Sequence, residues 1–501
     1  MTNLTRRTLL IGSAGVAGAL GVGGLAGCGR SSSAVGSGSA AVRGAEATRR
    51  PTGQRVVTAQ LTPRPATIDL GGLSVPTWAY GEAVPGPLLR ASAGDRLQVA
   101  VTNALPAATS VHWHGIALRN DMDGVPGITQ RPIGPGTGFT YDFTAPDPGT
   151  YFYHPHSGVQ LDRGLYGVLI VDDPHEPGRY DQEWVVVLDD WIDGTGTTPD
   201  QALKKLQSTN GTGGMGGMGG SGGMGGSGGM GETMQSSLLG GAGDIAYPHY
   251  LVNGRIPTSP VTLTGKPGGR VRIRIINAGS DTAFRVALGG HRMTITHADG
   301  YPVQPTVTDA LLIGMGERFD VAVTLADGAF PLVASAEGKN GQGLAVVRTS
   351  PAAATPPATA APSELTGRVL LGTDLFAAAP SRLPDRAVDV THDLVLGGSM
   401  AGYRWTLNGK SFPDTAPLEV RQGQRVRLRF RNQTMMFHPM HVHGHTFALT
   451  AGGARKDTVI VRPMQQVEVD LQADNPGQWA THCHNIYHAE AGMMTTLSYR
   501  E

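Results

Sequence analysis

A ten-residue pattern occurs three times in the 501 residues of this chain. The copies are Gly94-Asp95-Arg96-Leu97-Gln98-Val99-Ala100-Val101-Thr102-Asn103, Gly268-Gly269-Arg270-Val271-Arg272-Ile273-Arg274-Ile275-Ile276-Asn277 and Gly423-Gln424-Arg425-Val426-Arg427-Leu428-Arg429-Phe430-Arg431-Asn432. Each runs Gly, any residue, Arg, Leu or Val, then apolar residues at every second position, and ends on Asn. Alternation of period two after a glycine turn is the mark of a half-buried strand. A glycine turn also precedes each copy, at Tyr80-Gly81, Asn253-Gly254 and Asn408-Gly409. The copies start 174 and then 155 residues apart. A period that long means repeated domains, not a solenoid. The pattern therefore predicts an all-β chain of three β-sandwiches, over 51–175, 176–350 and 388–501. The 73 glycines and 34 prolines suit short strands and many turns.

The joins differ in composition. Residues 351–387, beginning within SPAAATPPATAAPS, read as a Pro/Ala-rich linker. Residues 211–234 are mostly Gly, Ser and Met, cannot build a core, and read as a mobile loop of the second domain. With 40 basic and 40 acidic residues, nothing points to an electrostatic hold on nucleic acid.

At the N-terminus, Arg6-Arg7 precedes an apolar Gly/Ala-rich run that closes at Leu25-Ala26-Gly27-Cys28. This reads as a twin-arginine export signal over 1–28 with a lipobox. Cys28 would then carry a lipid anchor in the cell envelope, at the periplasmic or outer face of the membrane, with 29–50 as a flexible tether. The chain has two cysteines. With Cys28 lipidated, Cys483 has no partner for a disulfide, and metal ligation is a reason for its thiol to persist.

Histidine-x-histidine occurs four times, at His112/His114, His154/His156, His441/His443 and His482/His484. Side chains at i and i+2 of a strand leave on one side. Eight imidazoles exceed the four or so ligands that one copper or zinc ion takes, whereas three ions with two or three histidines each would use them all. Cys483 lies between His482 and His484, so alternation sends its sulfur the other way, to a different ion. Its partners would be His438, three residues before the His441/His443 pair, His488 downstream of Cys483, and Met493 five residues further on. Two imidazoles, a thiolate and a thioether are the donor set of a blue-copper electron-transfer site. The remaining histidines, His175, His249, His291, His297, His392 and His445, read as structural or surface residues.

The segments HWHG, HPHS, HPMHVHGH and HCHNIYHAEAGMM, in this order, resemble the signatures of the three-domain multicopper oxidases, the family of laccases and bacterial cuprous oxidases. The likeness spans roughly 50–501, and leans toward exported, actinobacterial-type copper-tolerance enzymes. It implies consecutive cupredoxin-like Greek-key sandwiches and four copper ions. His438, Cys483, His488 and axial Met493 would hold the type 1 ion. His112 and His441 would hold type 2, and His114, His154, His156, His443, His482 and His484 the type 3 pair. The second domain would act mainly as a spacer. The implied reaction oxidises Cu(I) or small phenolic donors one electron at a time and reduces O2 to water. Asp123 stands at the family position of an acid beside the cluster. The family's second acid falls on Ala489 here, which leaves Glu490 or water as the other proton donor. Where cuprous oxidases carry an acid four residues before the first type 1 histidine, this chain has Thr434. It keeps Met436 two before. Met215, Met218, Met224, Met230 and Met234 offer soft donors suited to Cu(I). Two other readings are a copper nitrite reductase-like enzyme, which needs no type 3 pair, and a non-enzymatic copper buffer at the cell surface.

Overall fold

The structure, a computed structural model, describes residues 33–208 and 234–501. The export signal, Cys28, the start of the expected tether, and Met215, Met218, Met224 and Met230 lie outside the described residues.

Each copy of the repeated pattern forms a strand: Arg96–Thr102, Arg270–Asn277 and Arg425–Asn432. In each domain it pairs in parallel with the first long strand, Val56–Leu61, Gln182–Trp191 or Val390–Ser399. On its other side it pairs antiparallel with Gly138–Thr144, Arg318–Thr324 or Gln466–Gln472. In the third copy Val426, Leu428 and Phe430 are fully buried, and Arg427 and Arg429 are only partly so. The second copy is buried on both faces. Asp320 binds both Arg272 and Arg274 there, and Arg274 also donates to Thr150 of the first domain at 2.8 Å.

The closing asparagine does the same work three times. Asn103, Asn277 and Asn432 each accept from the backbone N–H two residues on, at 2.9 Å in every copy. Each donates through its Nδ2 to two carbonyls, one four or five residues ahead and one across the sandwich. An amide that satisfies three buried backbone groups fixes where the loop leaves the strand.

A second sheet completes each sandwich. It has four strands in the first domain, six in the second and five in the third. The histidine pairs lie on these second sheets. His112–His114 pairs with Gly149–His154, setting His112 opposite His154. His438–Val442 pairs with Gln478–Cys483, setting His441 opposite His482 and Met440 opposite Cys483. One apolar core runs through the second and third domains, while the first has its own around Trp113, Tyr141 and Phe143.

Two expectations need correction. A free tether does not describe 34–49. Val35 donates its N–H to Tyr499, and a helix over Ala40–Arg49 buries Val42 and Glu46, with Glu46 accepting from Thr144. The reason is that Val42 and Glu46 are four residues apart, on one helix face. The 351–387 linker is also strapped down, because it carries apolar anchors. Leu365, Leu370, Leu371, Leu375 and Ala377 are buried, and Val369–Leu370 adds an edge strand beside Ala310–Ile313.

Candidate metal centre

Two groups of metal-binding side chains sit on opposite sides of the strand Gln478–Cys483. On one side, His438, Cys483 and His488 converge, all fully buried. The Cys483 sulfur lies 3.6 Å from Nδ1 of each imidazole, and the two Nδ1 atoms lie 3.1 Å apart. Each outer nitrogen is held: His438 Nε2 by Thr434 Oγ1 at 2.9 Å, His488 Nε2 by Asp244 Oδ2 at 2.8 Å. The short helix Ile486–Glu490, capped by the Asn485 side chain on the N–H groups of Tyr487 and His488, delivers His488. Met493 is fully buried, and its backbone bonds to Cys483 and His488.

On the other side lie the eight paired histidines. Their ligand atoms fall into three triplets: His112, His114 and His441; His114, His154 and His484; His156, His443 and His482. The strand argument needs one amendment. His156, His443 and His484 each lie beyond a strand end. His443 and His484 still continue the ladder, donating to the Ala480 and Pro439 carbonyls at 3.0 and 2.7 Å, so the pleat directs them, whereas His156 turns inward with the loop after Pro155.

Hydrogen bonds orient the rings. Nδ1 of His112 faces the Asp123 carbonyl at 2.8 Å, that of His154 the Pro155 carbonyl at 2.9 Å, that of His441 the Asp457 carbonyl at 2.9 Å and that of His482 the Cys483 carbonyl at 2.8 Å. His443 Nδ1 faces the Asp123 carboxylate at 3.0 Å. A carbonyl accepts only N–H, so each Nδ1 that faces one carries the proton and each Nε2 carries a lone pair. His114 is turned over: its Nε2 meets Asp457 at 3.2 Å, leaving Nδ1 inward.

The inward atoms fit metal ions. Nε2 of His112, His154 and His441, Nδ1 of His114 and both nitrogens of His484 are buried without a protein partner. His482 Nε2 lies 2.9 Å from His443 Nε2 and 3.3 Å from His156 Nε2. Lone pairs this close repel unless a cation lies between them. Burial, reinforced by the neighbouring histidines, lowers the pKa values of His114, His154, His156, His443 and His484, and takes His482 to about 3. Burial likewise lowers His438 and raises the Cys483 thiol. Neutral imidazoles and a thiol that ionises only for a cation are a soft, copper-type donor set.

Around this cluster the structure supplies groups that no sequence signal marks. Asp457 binds Arg318 through both oxygens, at 2.7 and 2.6 Å, and both side chains are fully buried. Burial pushes the Asp457 carboxyl up, but Arg318 outweighs it and holds the group well below the usual range. Arg318 and Asp244 belong to the second domain, so that domain is more than a spacer. Gly115 also belongs to this site. It has φ +86°, and a Cβ there would collide with Arg318 and Asp457.

Asp123 is buried against His112 and His443, as expected of an acid beside the cluster. Glu490 is not at either group. Two residues past His488 the helix has turned about 200°, so the side chain is exposed and Asp200 is its charged neighbour. The buried position is Ala489, which has no carboxylate. His445 is buried but bonds to Tyr499, outside the triplets.

Sequence profiles of the multicopper oxidase family match residues 64–176, 182–352 and 386–501. The chain is 55% identical over 458 residues to the multicopper oxidase MmcO of Mycobacterium tuberculosis, covering 90% of this chain and 88% of that one. It is 30% identical over 560 residues to a copper resistance protein A homolog of Pseudomonas syringae pv. tomato, covering 90% and 94%. The solved laccase from Botrytis aclada superposes with a TM-score of 0.72 at 25% identity, covering 90% of this chain and 88% of that one. The three sandwiches are thus consecutive cupredoxin-like domains, and the chain belongs to the multicopper oxidase family.

Proposed function

We propose that this oxygen-dependent oxidase takes electrons from Cu(I), with phenols as a second donor class, and that it serves copper tolerance. The observation that carries the reading is the place of Cys483. Its sulfur joins one donor group while the adjacent His482 and His484 join the other, so three consecutive residues connect the two. In this reading His438, Cys483, His488 and Met493 would hold a type 1 copper. His112 and His441 would hold type 2, and the triplets His114, His154, His484 and His156, His443, His482 would each hold one ion of a type 3 pair. Bound there, four coppers supply one-electron oxidation at the sulfur site and reduction of O2 to two waters at the histidine sites.

The protein's own residues do the rest. Thr434 and Asp244 fix the outer nitrogens of the type 1 histidines. Asp123 orients His443, and its carbonyl sets the tautomer of His112. Asp457 does the same for His441 and His114. Such partners hold ligand rings in position and raise their basicity. The second carboxylate beside the cluster is therefore Asp457, held ionised by Arg318, rather than Glu490.

Cu(I) is favoured as donor by soft sulfur near His438. Met435, three residues before His438, is 64% exposed, and the Met436 sulfur lies over Gly241. The likeness to copper resistance proteins supports the same donor. The convergence of four histidine pairs favours an oxidase over a nitrite reductase or a copper buffer. The test is oxygen uptake by copper-loaded protein given Cu(I). One O2 consumed per four Cu(I) is expected, and no uptake with Cu(I) ends the cuprous reading.

We also propose export by the twin-arginine route and a lipid anchor at Cys28. Mass spectrometry of the mature N-terminus checks this, with an acylated Cys28 expected and an unmodified or differently cleaved end opposing it.

A further inference from the structure

The two type 1 histidines differ in how their outer edges are covered. The His438 edge meets Thr434, which is half-buried and lies beside exposed Met435. The His488 edge meets Asp244, and that carboxylate is already occupied. Its Oδ2 accepts from His488 Nε2 at 2.8 Å and from the Tyr403 hydroxyl at 2.6 Å. The Asp244 side chain is only 2% exposed, and Tyr403 is likewise 2% exposed. Trp405 covers a face of the His488 ring, with centroids 4.1 Å apart.

A phenolic donor at this edge would need two things: its ring against His488 and an acceptor for its hydroxyl. Tyr403 is itself a phenol, and it holds that acceptor. Its backbone shows that the placement is not incidental. Tyr403 has φ +41°, a left-handed conformation that aromatic residues seldom adopt. It closes a turn through its N–H to the Met400 carbonyl. The strain is offset by burial of the ring against Trp405 and by the charge-assisted bond to Asp244.

We propose that Tyr403 is a specificity-determining residue of the electron-uptake site, a built-in phenol that fills the place of a phenolic donor on Asp244 and His488. Phenols are excluded from that edge, and small metal-ion donors reach the His438 edge instead. The inference rests on the oxidase reading above and narrows its donor class.

The test compares Tyr403→Gly, which suits the left-handed backbone and removes the ring, with Tyr403→Phe, which keeps the ring and loses only the hydroxyl. Tyr403→Asn is a second opening variant, since asparagine tolerates this conformation. Copper-free full-length proteins are first examined by saturation-transfer NMR with 2,6-dimethoxyphenol. Transfer to the phenol is expected with the Gly and Asn variants and not with wild type or Phe. Transfer of equal strength in wild type, or none in either opened variant, overturns the proposal. In copper-loaded protein, the ratio of kcat/KM for the phenol to that for Cu(I) is expected to rise about tenfold or more on opening. Tyr403→Phe loses the same bond to Asp244 but keeps the ring, so its type 1 potential and its ratio set the reference, and a rise in Gly and Asn beyond Phe reports access and not driving force. A ratio in Gly and Asn no higher than in Phe also overturns it. Should wild type fail to oxidise Cu(I), the donor reading falls, while phenol binding to copper-free protein still decides the role of Tyr403.

Discussion

Asp123 and Asp457 make the tautomers of this cluster a property of the fold. Each presents a backbone carbonyl to one imidazole and a carboxylate to another. Asp123→Ala should reduce turnover about 10–100-fold while the blue thiolate absorption survives, because outer partners of metal ligands carry that much. Steady-state kinetics beside a visible spectrum checks both halves. Asp457→Asn should be worse for a different reason. It removes the nearer of two counter-charges from fully buried Arg318, leaving Asp299 at 3.7 Å. Breaking that buried bidentate pair should cost at most about 3 kcal/mol of stability, since Asp299 still faces the cation, read as a lower urea midpoint in copper-free protein. The two residues also mark what sequence makes legible. Asp123 stands in a recognisable motif near its partner His112. Asp457 and Arg318 are 139 residues apart, and His114 is 343 residues from Asp457. No local pattern announces a pairing made only by three domains closing on one another.

At the scale of the element, the repeated strand and its asparagine place the copper ligands. The third copy leads through Asn432 into the loop that sets Thr434 on His438, since Asn432 Oδ1 accepts from both the Thr434 N–H and its hydroxyl. The second copy ends in the same geometry at Asn277, and its loop reaches the sulfur site at one remove, because Asp281 there accepts from the Asp244 N–H and from Asn485, the cap of the His488 helix. Asn432→Ala and Asn277→Ala should therefore destabilise alike, by about 1–3 kcal/mol for the carbonyls left unpaired. Asn432→Ala should shift the blue absorption and the type 1 potential more, since Asn432 bonds directly to Thr434. An equal shift in both variants would mean that the third-domain loop does not act through Thr434. The strands themselves are readable from alternation, and so is the opposed facing of Cys483 and its neighbours, because pleating is local. The inward turn of His156 is not, since it lies two residues past its strand and depends on the loop that follows. The outward Glu490 is equally hidden until the helix Ile486–Glu490 sets its rotation.

Across the whole molecule, one cost recurs: many neutral imidazoles packed with their inward lone pairs facing one another. Burial lowers the pKa values of His114, His154, His156, His438, His443, His482 and His484 from the ordinary value near 6.5. Below that value the unfolded chain takes up protons that the folded chain refuses, down to about pH 3 for His482. The unfolded state then binds more protons, so stability rises with pH across this window and falls on acidification. Each such histidine contributes up to about 1.4 kcal/mol per pH unit. Copper-free protein should thus lose melting temperature steeply as pH drops from 7 toward 5. Copper-loaded protein should resist the same change, because bound metal stabilises only the folded state and protons must displace it. Calorimetry of both forms across that range, with copper counted at each pH, tests the argument. Parallel curves would show that the histidines are not held neutral for metal. Diverging curves would show that the fold tolerates an internally repulsive cluster because copper completes it, with the second domain closing the site through Arg318 and Asp244.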